Sequence, residues 1–258
     1  MSAIAGILYF DGAPVEPGQI EKLTQVMFSR GPDRQSTWSQ RSIGLGHCML
    51  HATPESLGER QPLLSEDSNF ALVWDGRLDN RDELIREFKS RNTALRDTTD
   101  AEIVLHCYLT WGENCPEKLL GDFVFAIWDG YKSKLFLVRD HVGARPLYYT
   151  HNDVFFAFAS EDEALLTLPG VSSKPNKVWV ATMFVPAYEK CIDPCQSWVE
   201  GVRFLGSGQC STVTIDGQID ISTYWSLEPR EDSCYKSDND YEEAFHELFN
   251  DAVRCRLR

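Results

Sequence analysis

The chain has 258 residues, 43% hydrophobic and 25% charged, with 39 acidic side chains against 25 basic ones and a formal net charge of −14. That size buries a substantial core in one or two domains of ordinary globular composition, and the carboxylate surplus excludes nucleic acid, whose phosphates need clustered Lys and Arg. None of the eight cysteines forms a C-x-x-C pair, no apolar run approaches membrane-spanning length, and the N-terminal run is too short and lacks the basic flank of a secretion signal; the expectation is buried thiols in a reducing cytoplasm, with no membrane association.

In chain order, Ala3 to Phe10 reads as a buried strand ended by Asp11-Gly12. Pro17 opens a helix on which Ile20, Leu23 and Met27 recur at helical spacing, stopped by Gly31-Pro32. Ser42 to Leu50 reads as a strand and His51 to Gln61 as a loop. Phe70 to Leu78 is a long apolar strand interrupted by Asp75-Gly76, followed by a short helix carrying Leu84, Ile85 and Phe88. Thr99-x-x-Glu102 has the form of a capping box, and the run from Ile103 to Trp111 behind it predicts an amphipathic helix.

Asp122 to Asp129 and Lys134 to Arg139 flank Gly130 as a hairpin, and Pro146 to Thr150 with Asp153 to Ala159 forms another around His151-Asn152. Ser160-x-x-Glu163 caps a short helix ending at Pro169-Gly170, and Lys177 to Phe184 predicts a further helix. Segments 202–205, 211–215 and 219–225 close the domain as short strands. Paired strands with helices between them imply stacked antiparallel sheets faced by helices, an α+β architecture. Beyond Trp225 a polar, acidic stretch marks a linker, and Tyr241, Phe245, Leu248, Phe249, Ala252 and Leu257 make one apolar stripe on a last helix.

The residue with the most chemistry is Ser2, small enough for Met1 to be removed. Processing would leave a hydroxyl and a free α-amine on one residue, a nucleophile beside its own base. Elsewhere the plain reading suffices. His47, His106 and His141 lack a second ligand at metal spacing; Asp79, Asp82 and Glu83 suit the start of a helix; Arg139-Asp140 and Arg145 suit a buried structural ion pair, as does Asp33 beside Arg30; Phe123, Phe125, Trp128, Phe136, Tyr148 and Tyr149 belong to the core.

Ile4-Ala5-Gly6-Ile7, Arg30-Gly31-Pro32-Asp33, Gly46-His47, Asp75-Gly76, Thr99-Asp100-x-Glu102, Gly121-Asp122-Phe123 and Arg139-Asp140-x-x-Gly143-x-Arg145-Pro146-Leu147-Tyr148 follow one another in order, continued by Phe158-Ala159-Ser160-Glu161 and Glu200-Gly201-Val202. Together, over residues 1 to about 225, they resemble the class II glutamine amidotransferase domain of asparagine synthetases. The resemblance implies the N-terminal nucleophile hydrolase fold, a four-layer αββα sandwich of two antiparallel sheets. It further implies a first-residue cysteine that attacks the side-chain amide of glutamine and passes ammonia to an ATP-dependent domain.

Carried over position by position, the family's nucleophilic cysteine falls on Ser2. The arginine that holds the substrate carboxylate falls on Met49, the asparagine of the oxyanion hole on Asp75, and a substrate-binding glutamate on Arg77. Gly76 keeps a backbone N–H for the oxyanion, and Asp100 keeps the position that binds the substrate's amino group. An unpaired substrate carboxylate costs about 3 kcal/mol, and a lost oxyanion donor costs roughly as much again. Together they amount to about four orders of magnitude in rate before the serine is counted, less whatever non-additivity removes. The expectation is a retained fold with glutamine hydrolysis lost, a pattern similar to β-lactam synthetases and lasso-peptide cyclases.

The division expected is residues 1–227 as the amidotransferase-like domain, 228–240 as linker and 241–258 as the first helix of an asparagine synthetase-like domain. That domain, in cis or as a separate subunit, is the expected partner, with a homodimer also allowed. The chain's own reading is no cofactor, since the S-G-G-x-D-S pyrophosphate loop is absent from it and ATP and magnesium go with the synthetase domain. The competing expectation is a working hydrolase in which Ser2 attacks an amide other than that of glutamine.

Overall fold

A computed structural model describes residues 1–16, 18–184, 193–228, 235 and 237–257. Within these, strands β1 (Ala3–Tyr9), β2 (Arg34–Gln40), β3 (Ile43–Met49), β4 (Leu63–Leu64), β5 (Phe70–Leu78), β6 (Gly121–Asp129), β7 (Lys134–Arg139), β8 (Tyr148–His151), β9 (Phe155–Ala159), β10 (Arg203–Phe204), β11 (Gln209–Thr214) and β12 (Ile219–Thr223) alternate with helices α1 (Gln19–Val26), α2 (Arg81–Ser90), α3 (Asp100–Trp111), α4 (Asp162–Leu165), α5 (Lys177–Phe184) and α6 (Asp238–Arg254). The strands form two antiparallel sheets, ordered β10-β8-β9-β1-β3-β2 and β12-β11-β7-β6-β5-β4.

The period of two along each central strand builds the layers. On β1, Ala3, Ala5 and Ile7 meet Ile20 and Leu23 of α1 and Ala164 and Leu165 of α4, while Ile4 and Leu8 enter the seam between the sheets. On the other sheet, Val124 and Ala126 of β6 face that seam with Ala71 and Val73 of β5, whereas Phe123, Phe125 and Ile127 turn outward under α2 and α3. Both faces of these strands are therefore covered, which is why their sequences are unbroken apolar runs. Each fully buried phenylalanine contributes about 2 to 3 kcal/mol. The result is the expected α+β sandwich with layer order αββα.

Several local expectations are corrected. β5 runs without interruption through Asp75-Gly76, which pair with Val124 and Phe123. Helix α3 is buried on most of its circumference rather than along one stripe, because α2 and the second sheet enclose it. Its capping box is half made: Thr99 Oγ1 accepts the Glu102 N–H at 3.3 Å, but the Glu102 carboxylate turns to Arg96 and His106. Ser160 does not cap α4; its hydroxyl accepts the Ile4 N–H at 2.9 Å and ties that turn to β1. Pro17, read as the start of α1, lies outside the described residues. The polar strand β2 has no counterpart among the expected elements; it forms the sheet edge and, among the described residues, pairs only with β3.

Helix α6 begins at Asp238 rather than Tyr241, capped by a reciprocal Ser237–Asp240 box. Its apolar stripe, with Phe245, Leu248 and Phe249, is exposed. Its C-terminal end meets the domain, where Arg256 bonds Asp79 and Asp122 and Arg77 donates to the Cys255 carbonyl at 2.6 Å. Among the described residues no helix is long and apolar enough to cross a membrane.

Candidate functional site

The register of β1 on β3, with Ala3 opposite Cys48, sets Ser2 beside Met49 at one end of the inter-sheet seam. Asp75 shares the seam-facing row of β5 with Ala71 and Val73 and so arrives at the same end from the second sheet. Two glycines permit this closeness. A Cβ on Gly31 would lie 2.3 Å from the Cys48 carbonyl carbon, and one on Gly76 would lie 2.6 Å from the Phe123 Cβ. A small cleft opens there, lined by Met1, Ser2, Met49, Asp75, Gly76 and Asp100 together with Glu55, Glu59, Trp74 and Arg145.

Five of the six expected site residues thus converge, namely Ser2, Met49, Asp75, Gly76 and Asp100. Arg77 is not among the lining residues; its guanidinium is directed to Cys255 and Asp79. The Ser2 hydroxyl accepts the Leu50 N–H at 3.0 Å and donates to the Met49 sulfur at 3.9 Å, so its proton goes to a weak thioether acceptor. While Met1 is attached the Ser2 nitrogen is an amide and has no basic lone pair.

Asp75 is 3% exposed, and burial pushes its carboxyl above the ordinary range against the pull of Arg145 and Arg30. Arg145 Nη1 lies 3.8 Å from Asp75 Oδ1. That separation is an ion pair without a hydrogen bond, and it leaves both Arg145 Nη1 and Asp75 Oδ2 buried with no hydrogen-bond partner. Asp100 accepts the Leu78 N–H at 2.9 Å and sits 3.2 Å from Arg81 Nε. Arg81 also holds Glu55 at 2.7 Å.

Two cleft residues escaped the sequence reading. The sequence suits Arg145 to a buried pair with Arg139-Asp140, but no such pair forms. Arg139 donates instead to the carbonyls of Gly143, Arg145 and Leu205 at 2.6 to 2.7 Å, and Asp140 accepts the N–H groups of Val142, Ala144 and Arg145. This cradle shapes the loop and sends the Arg145 side chain into the cleft. Nor do Arg30 and Asp33 pair: Arg30 bonds the Ser2 carbonyl and faces Glu161, while Asp33 accepts the His51 N–H. Asp79, read as helix-start electrostatics, serves as the anchor for Arg256.

Glu59 is the second. Its carboxyl is 8% exposed and burial raises it from 4.5 to about 7, partly offset by the Gln61 amide, which donates to it at 2.5 Å. Gln61 also clamps the Trp74 backbone on both sides, and the His47 ring contacts the Trp74 carbonyl at 3.1 Å. Burial holds that imidazole neutral, with its pKa down at about 4. The three side chains fix the strand immediately before Asp75.

A family profile described as a glutamine amidotransferase domain matches residues 1–225. The chain belongs to the class II glutamine amidotransferase domain family. This amidotransferase domain is 29% identical over 260 residues to asparagine synthetase [glutamine-hydrolyzing] 3 of Bacillus subtilis, a match covering 100% of this chain and 41% of that protein. Amidase chry2 of Gibberella zeae is 26% identical over 257 residues, 93% of this chain and 35% of that one. Glutamine phosphoribosylpyrophosphate amidotransferase from B. subtilis has a similar structure, with a TM-score of 0.62 at 15% identity over 87% of this chain and 50% of that one, a likeness of fold alone. The domain spans about two-fifths of the length of the first of these relatives.

Proposed function

We propose that this chain is the amidotransferase-like part of an asparagine-synthetase-type, ATP-dependent amide-forming ligase, with glutamine hydrolysis lost and the domain retained as a structural partner of the synthetase part. The single observation that supports this is the composition of the cleft around Ser2. A thioether, Met49, stands beside the hydroxyl, and a carboxylate, Asp75, stands where an oxyanion would form next to the Gly76 N–H. Negative charge developing on a tetrahedral intermediate would face a second negative charge, where an N–H donor is worth about 3 to 4 kcal/mol. The synthetase part would supply the ATP and magnesium chemistry. The exposed Phe245, Leu248 and Phe249 face of α6 supplies a surface for it to cover.

Arg145 supports a second reading. It brings a cation into the cleft that Met49 lacks, which suits a Ser2 hydrolase acting on an amide other than that of glutamine. Two measurements separate the readings. Intact-mass analysis reports whether Met1 is removed, and retention ends the hydrolase reading, since the α-nitrogen then stays an amide. An ammonia-release assay with glutamine is expected to give no turnover for the unaltered protein and measurable turnover only when Ser2→Cys, Met49→Arg and Asp75→Asn are combined. Substantial release by the unaltered protein overturns the first reading.

A further inference from the structure

The charges lining the Ser2 cleft do not balance. Four carboxylates border it, Glu55, Glu59, Asp75 and Asp100, against two lining cations, the Arg145 guanidinium and the Met1 α-ammonium, both of which act on Asp75. Arg81 engages Glu55 and Asp100 from behind, at 2.7 and 3.2 Å. Glu59 has no cation within ion-pair distance among the described residues; its hydrogen-bond donor is the Gln61 amide at 2.5 Å, and burial raises its carboxyl to about 7. A buried carboxylate without a cation is unfavourable, and a ligand carrying the missing charge relieves it.

The second observation is the pair of unsatisfied atoms beside Ser2. Asp75 is 97% buried, and its Oδ2 accepts no hydrogen bond; Arg145 Nη1 donates none. Buried polar atoms are nearly always satisfied, so an acceptor and a donor left side by side in a cleft mark the place of a ligand that offers the complement of both. A carboxamide does so, with N–H for Asp75 and a carbonyl oxygen for Arg145. Met49, Leu50 and Ala52 add apolar residues to the lining, suited to a short carbon chain.

We propose that the Ser2 cleft is a receptor for a short ω-ammonio carboxamide lacking a carboxylate, its ammonium seated on Glu59 and its amide bridging Asp75 and Arg145. This rests on the reading that glutamine itself is no longer taken. A free α-carboxylate would be placed among four carboxylates whose cations are already engaged, Arg145 and the Met1 ammonium by Asp75 and Arg81 by Glu55 and Asp100. Repulsion of that kind discriminates more strongly than any lost contact.

The test is calorimetric titration of the full chain at pH 8 with three probes: 4-aminobutanamide, L-glutamine, which adds only the α-carboxylate, and pentanamide, which replaces the ammonium by a methyl group. The expected result is binding of 4-aminobutanamide at least about ten-fold tighter than either other probe, a difference of about 1.4 kcal/mol. Its affinity should weaken about ten-fold at pH 6, where Glu59 is protonated. Glu59→Gln should remove the preference for the ammonium while leaving pentanamide binding unchanged, and Asp75→Leu should weaken both amides in a protein whose Glu59 is intact. Thermal melting of each variant confirms that it is folded. Glutamine binding as tightly as 4-aminobutanamide, equal binding of pentanamide, or saturation by none of the three overturns the inference. The loss of glutaminase activity stands or falls separately, on ammonia release.

Discussion

Glu59 lets the electrostatics of the cleft be measured without any ligand. Its carboxyl rises from 4.5 to about 7 because burial opposes its charge. A group with its folded-state pKa raised holds more protons folded than unfolded in that interval, so its stabilising contribution is complete below about pH 4.5 and is lost as pH rises through about 7. Between pH 5 and pH 8 the loss comes to about 2.5 kcal/mol, at roughly 1.4 kcal/mol per pH unit across the interval. The wild-type curve alone does not reveal it. Buried His47, lowered from 6.5 to about 4, has the opposite sign: its contribution is present above 6.5 and lost as pH falls through about 4, overlapping the Glu59 window. Glu59→Gln removes one and leaves the other. Urea unfolding of both proteins at pH 5 and pH 8 should therefore show the variant gaining about 2.5 kcal/mol relative to wild type on going to pH 8, since any constant packing difference cancels. A variant-minus-wild-type stability that is the same at both pH values, or that falls on going to pH 8, refutes the reasoning.

Two further outcomes are expected. Arg139→Met leaves the carbonyls of Gly143, Arg145 and Leu205 without their shared donor and should destabilise the fold by about 3 kcal/mol in chemical denaturation; a loss under about 1 kcal/mol would show that the loop bearing Arg145 does not depend on this cradle. Cys48 is buried and burial pushes its thiol up to about 11, so at pH 8 in the folded protein it should resist iodoacetamide while half-buried Cys195 and Cys255 react. Peptide mapping that finds Cys48 alkylated as fast as those two contradicts its placement under α1.

Much of the architecture was legible because buried strands write their two covered faces as continuous apolar runs, as in Phe123 to Trp128, and because Thr99 caps its helix through a hydrogen bond local to it; the first helix ends at Val26, short of the expected Gly31-Pro32 stop. What was not legible has equally specific causes. Strand β2, Arg-Gln-Ser-Thr-Trp-Ser-Gln, carries no apolar alternation because an edge strand bonded on one side is half in water. Asp75-Gly76 reads as a turn, but cross-strand pairing to Val124 and Phe123 overrides that local preference. For the site, residues placed by strand register were recoverable from the motif order. Arg145 and Glu59 were not, because each owes its position to a loop whose shape is set by distant carbonyls or by Gln61, and Arg77 was misplaced because α6 draws its side chain away.

That last contact ties two regions into one mechanical unit. Asp75, Arg77 and Asp79 occupy alternate positions along a single stretch of backbone, the first in the cleft and the other two gripping the end of α6. A strand paired on its β6 side at every residue from Phe70 to Leu78 is stiff along its length. A load applied to the terminal helix is thus delivered, without a hinge in between, within a few ångströms of the carboxylate that faces Ser2.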